Sequence, residues 1–122
     1  MAPDAPPRFD VVVKSDCPTC QVIVPVLVQM ERAGLDLQIH YQDDDEFLQG
    51  LEGVRDDTSL ERSFQLAIDT VPTLVRTENG GEAGRAVGWV RSDWEDLTGL
   101  TSLGPDLDPW KPGCGSKSVT PG

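Results

Sequence analysis

The sequence predicts a single α/β domain, with a four-stranded mixed sheet flanked by helices, a disordered N-terminal lead and a Gly/Pro-rich C-terminal tail. Three observations carry this. A short β-branched run, Phe9–Val13, precedes an amphipathic segment and then an alternating run, Leu35–Tyr41, which together read as a βαβ unit with parallel strands. Two further apolar runs flank Asn79-Gly80-Gly81, a hairpin signal. The length of 122 residues suits one domain, which commonly holds ~100–150.

Each element has its own justification. Residues 1–8 contain three prolines and no apolar periodicity, and form the lead. Phe9–Val13 suits a strand buried on both faces. Ser15 or Asp16 can cap the next helix, and Pro18 fits its first turn, where a missing N–H costs nothing. Val22, Ile23, Val26, Leu27 and Met30 recur at helical spacing, Pro25 should kink the helix, and Gly34 stops it. Leu35–Tyr41 alternates as a half-buried strand does.

Between Gln42 and Asp69 stand nine carboxylates and two arginines, with two short helices expected. One covers Glu46–Glu52, exposing Phe47, Leu48 and Leu51 on one side. The other covers Thr58–Leu66, opening on a Thr58/Glu61 capping box and burying Leu60 and Phe64. Thr73–Thr77 and Arg85–Val90 make the hairpin, with a loop longer than two residues. Ser92 and Glu95 form a second capping box ahead of a last helix that turns Trp94 and Leu97 inward. From Gly104 onward eight of nineteen residues are Gly or Pro, so the domain is expected over 9–103 and the tail over 104–122.

The formal net charge of −11 disfavours nucleic acid and anionic membrane surfaces as partners. The longest apolar run, Val22–Val28, has seven residues where a spanning helix needs ~20. No basic region precedes an apolar stretch as in a signal peptide, and the expected location is cytoplasmic. Three cysteines in such a chain point to reactive or metal-binding thiols rather than a disulfide scaffold.

Cys17 and Cys20 carry the chemistry. Three apart at a helix start, they lie on one side of the first turn, close enough to bridge. The first faces the unpaired N–H groups, which favours a thiolate, while the adjacent Asp16 works against it. A thiolate attacks disulfides, and a second thiol can release the mixed disulfide. A structural pair or half of a zinc site is the plainer alternative.

Cys17-Pro18-Thr19-Cys20 after an apolar strand, Pro25 five residues past Cys20, Val71-Pro72-Thr73 before the hairpin, and Val87-Gly88 on the last strand together resemble the thioredoxin superfamily over Phe9–Leu100. The resemblance implies a thiol–disulfide oxidoreductase needing no metal or organic cofactor, with Cys17 attacking and Cys20 resolving. It also implies a cis Pro72 beside the pair, leaving the backbone at Thr70 and Val71 to hold an extended substrate. Partners would be a protein or small-thiol disulfide, with electrons from a reductase or a low-molecular-weight thiol.

Departures matter. Asp16 stands where thioredoxins have Trp, and Val11 where they have a buried acid. Cys-Pro-x-Cys and Thr70-Val71-Pro72 are more similar to a glutaredoxin, yet Gly88–Asp93 replaces that group's glutathione-binding stretch. Cys114, flanked by glycines and near Lys111 and Lys117, is expected to be mobile and accessible. It is read as an accessory thiol that exchanges with the pair or couples to a partner, or as a solvated thiol with no dedicated role. His40 and the three cysteines are ligand types that suit zinc, but nothing in the sequence brings His40 to them, and no metal site is expected. Trp89 and Trp94 are expected in the core and Trp110 as a tail anchor. The alternative function is a docking or electron-delivery module that engages a larger enzyme through the acidic helix and the Cys114 tail.

Overall fold

A computed structural model describes residues 6–117. Most of the lead lies outside that range, and its last residue, Arg8, already belongs to a strand. That strand, β1 (Arg8–Val13), is followed by helices α1 (Pro18–Val22) and α2 (Val24–Arg32), then β2 (Asp36–Tyr41). β2 runs parallel to β1 in register Arg8↔Asp36 to Val13↔Tyr41. Every β1 residue after Arg8 is buried, because β1 lies at the centre of the sheet with both faces covered. Pro25 does more than kink the expected helix. It lacks an N–H for the carbonyl four residues back, so the helix breaks at Ile23 and restarts with Pro25 in the first turn of α2. Gly34, at φ +80°, follows α2 as expected of a helix stop.

The acidic segment departs most from expectation. The first expected helix shrinks to one 3-10 turn, Glu46–Leu48. Gly50 at φ +87° and the Glu31 carboxylate, accepting the Glu52 and Gly53 N–H groups at 2.9 and 2.8 Å, turn the chain into an unforeseen strand, β3 (Val54–Asp56). The second helix, α3 (Glu61–Gln65), does not start on the Thr58 capping box. The buried Asp57 carboxylate accepts the Arg62 and Ser63 N–H groups at 2.8 and 3.0 Å instead, with Leu60 at φ +65°. Phe64, expected in the core, is 76 % exposed.

β4 (Thr70–Val71) leads into β5 (Thr73–Glu78) and β6 (Gly81–Val87). Pairing Glu78↔Gly81 makes the hairpin loop two residues long, shorter than expected. Asn79 and Gly80 both have positive φ, +52° and +81°, as the tightest right-twisted hairpin turn requires. The sheet therefore has five strands rather than four, in the order β3-β2-β1-β5-β6, with β5 antiparallel to both neighbours. Gly88, at φ +71°, separates β6 from β7 (Trp89–Val90), and α4 (Arg91–Thr98) starts two residues earlier than the second capping box predicts. Glu95 does not cap α4. Its carboxylate accepts the Leu103 N–H at 3.1 Å.

Trp89 and Trp94 are buried and meet edge-on, 5.5 Å between centroids, while Trp110 is largely exposed. The Gly/Pro-rich segment is not a loose tail as far as Lys117. It returns along the domain through β8 (Trp110–Lys111), paired with β7, and β9 (Cys114–Gly115), paired with β4. The Arg91 guanidinium, donating to the carbonyls of Leu103, Gly104 and Leu107, fixes where that return begins.

Candidate functional site

β1 ends at Val13, and Cys17 sits just before α1 with extended backbone (φ −94°, ψ 115°). Pro18 opens α1, and the Cys17 carbonyl accepts the Gln21 N–H at 3.2 Å. Cys17 and Cys20 are both fully buried and reduced. Cys20 Sγ accepts the Lys14 N–H at 3.4 Å. Burial pushes the Cys20 thiol well above its ordinary range, and the Lys14 N–H only partly offsets this. Cys20 therefore waits as a protonated thiol.

The Val71–Pro72 peptide is cis. Cys17 Sγ donates to the Val71 carbonyl at 3.6 Å, which brings the cysteine pair and the β4–Pro72 turn into one site. Thr70 lies one residue further along, its carbonyl accepting the Thr73 hydroxyl at 2.6 Å. The Asp16 charge is largely exposed and is balanced by Lys14 Nζ at 3.4 Å.

Cys114 is not the mobile, accessible thiol the flanking glycines suggest. It is half-buried and stands opposite Val71 in the β4–β9 ladder, and because the Cys17 thiol meets the Val71 carbonyl, the ladder brings Cys114 to the cysteine pair. The neighbouring Cys17 thiol and partial burial raise its pKa, and the Lys14 charge only partly offsets this. Lys111 is turned to Asp108 at 3.4 Å, and Lys117 donates its N–H to Gln42. Cys17 thus has two other thiols beside it, Cys20 in the first turn of α1 and Cys114 in the ladder at Val71.

His40 does not join them. Its Nε2 lies 2.7 Å from Asp10 Oδ1 in a buried pair, and no cluster of metal-ligating side chains occurs among the described residues. Asp10 was not anticipated. Burial alone would raise it, but the His40 hydrogen bond and the charges of Arg8 and Arg62 hold the carboxyl below its ordinary range. The residues that sequence reasoning missed here, Lys14, Thr19 and Gln42, act through isolated hydrogen bonds, for which no spacing rule exists.

No family model matches the chain, and no curated protein does. Solved structures do. StoA from Bacillus subtilis superposes with a TM-score of 0.62 at 13 % identity, over 80 % of this chain and 85 % of that one. The thioredoxin of Malassezia sympodialis, Mala s 13, gives 0.52 at 18 % identity, over 80 % and 75 %. The fold is thioredoxin-like.

Proposed function

We propose that the chain is a thiol–disulfide oxidoreductase in which Cys17 attacks and Cys20 resolves. The observation that carries the reading is the meeting of three features. Cys17 lies at a strand-to-helix junction, its sulfur touches the Val71 carbonyl, and Cys20 stands one helical turn behind it. The Cys17 thiolate attacks one sulfur of a substrate disulfide, forming a mixed disulfide and expelling the first substrate thiolate. Cys20 then loses its proton and attacks Cys17 Sγ, expelling the second thiolate and closing the Cys17–Cys20 disulfide. Two electrons pass to the substrate. A dithiol reductase or two molecules of a small thiol return them.

The nearest buried carboxylate in sequence to the absent acid at Val11 is Asp10, and it is already committed to His40, Arg8 and Arg62. Proton removal from Cys20 therefore falls to water or to the departing substrate thiolate. Substrate selection falls to the main chain of Thr70 and Val71, which offers an extended peptide a short ladder.

Insulin reduction with dithiothreitol as electron donor tests the reading. Wild type should accelerate it, and Cys17→Ser should fall to the uncatalysed rate. A wild type no faster than Cys17→Ser overturns the assignment in favour of a docking module. That alternative no longer has a projecting tail to use, because the arm lies on the chain's own surface as far as Lys117. It keeps only the acidic segment.

A further inference from the structure

The ladder edge that a substrate would use is filled by the chain itself. β9 pairs Cys114 with Val71 and Gly115 with Thr70. Side chains around the cysteine pair hold the arm there. The Thr19 hydroxyl donates to the Pro112 carbonyl at 2.6 Å, and Lys14 Nζ to the Gly115 carbonyl at 2.7 Å. The buried Gln42 amide donates to the Ser116 hydroxyl at 2.7 Å and accepts the Lys117 N–H at 3.0 Å, and the Ser116 N–H reaches the Asp69 carbonyl at 3.0 Å. Gly113 lets the strands come this close. A Cβ there would stand 2.3 Å from Thr70 Cγ2 and 2.8 Å from the Val71 oxygen.

We infer that residues 112–117 are a tethered occupant of the substrate edge and that Cys114 is a disulfide partner of Cys17, which rests on Cys17 being the exchanging thiol. A mixed disulfide on Cys17 meets two thiols, and attack by either is chemically equivalent. With a small disulfide as oxidant, the Cys17 thiolate takes one half and expels the other as a thiolate. Cys114 gives its proton to solvent and attacks Cys17 Sγ, which expels the second half and closes Cys17–Cys114. Two protein thiols are oxidised and one small disulfide is reduced to two thiols. Cys20 then attacks Cys17 Sγ, displacing Cys114 as a thiolate that takes up a proton. No electrons leave the chain in that step, and the arm is then held by its ladder and hydrogen bonds alone. The Cys17–Cys114 bond thus locks the arm in place, and Cys17–Cys20 leaves it displaceable.

The test uses the full chain carrying Cys20→Ser, oxidised with glutathione disulfide, alkylated and mapped without reduction. The expected result is an intrachain cross-link between the Cys17 and Cys114 peptides. In the double variant Cys20→Ser/Gly113→Leu the arm cannot seat, and closure should slow by about tenfold or more as the effective concentration of Cys114 at Cys17 falls. Three outcomes overturn the inference: glutathione retained on Cys17 with Cys114 alkylated, a cross-link between chains, or closure equally fast in both variants. Insulin reduction by wild type is read separately. A chain that reduces insulin without the cross-link keeps its proposed activity and loses the arm's role. A chain that forms the cross-link without reducing insulin does the reverse.

Discussion

Cys20 decides how fast a cycle can end. It is fully buried, its sulfur accepts the Lys14 N–H at 3.4 Å, and burial lifts its pKa. In the folded chain the thiol form therefore dominates near neutral pH, and the resolving species is scarce. In a Cys114→Ser variant, where Cys20 is the remaining attacking thiol, release of a chromophoric thiol from the Cys17 mixed disulfide should speed up about tenfold per pH unit from pH 7 to 9, since the rate follows the thiolate fraction. A flat profile over that range would mean that Cys20 finds a base close by. The Asp10–His40 pair bears on the protein differently, as a buried charged group whose partners are all local to β1, β2 and α3. It supports the sheet without addressing the thiols.

At the scale of elements, the arm opposes two kinds of interaction. Holding it in place are a two-residue ladder and a handful of hydrogen bonds to carbonyls and amides, each worth ~1 kcal/mol net. Against it stands any extended peptide able to make the same ladder. Ordering the six-residue arm offsets most of what those hydrogen bonds contribute and leaves it a net competitor of ~1 kcal/mol, so Gly113→Leu in the otherwise wild-type chain should raise kcat/KM for insulin by about three- to tenfold. Rates that fall instead would mean that the arm helps to build the site. The elements themselves were unequally legible. β1, β2 and the first hairpin strand carry β-branched or alternating side chains, and the structure has them where that pattern puts them. The second hairpin strand, expected over Arg85–Val90, starts at Gly81 and ends at Val87 instead, because its first half carries no such pattern. β3 is an edge strand of three residues, two of them charged, so its side chains advertise solvent and only its main chain belongs to the sheet. The arm failed for the same reason in a stronger form. Its fit depends on glycines, which have no side chain to leave a pattern.

For the molecule as a whole, charge sets the approach of a substrate. The formal net charge is −11, and the Cys17 site is bordered by Asp16 and by Asp43, which accepts the Ser15 N–H and hydroxyl at 2.8 Å. A cationic small disulfide such as cystamine should therefore react faster than glutathione disulfide at low salt. The advantage should shrink as ionic strength rises from 10 to 500 mM, across which the screening length falls from about 30 Å to under 5 Å. Equal rates at every salt concentration would show that the charge is remote from the reaction path. The thioredoxin-like architecture and the Cys17–Cys20 pair were both open to reading, because strand order and a helix-start motif are written in side chains. The third thiol at the same point was not, because it depends on how a segment ninety-four residues after Cys20 folds back.

Arg91 gives that folding-back a further consequence. By gripping three carbonyls between Leu103 and Leu107, and with Trp89 donating to Asp108, the core anchors the chain up to β8. Whatever swings aside begins at Pro112, and six residues to Lys117 reach ~20 Å at full stretch. Such a leash never departs. Every incoming chain competes with a rival already on the spot, at millimolar effective concentration. On the proposed function, weak, fleeting visitors are turned away, and the disulfides that get reduced are those that grip the edge more firmly than the protein grips itself.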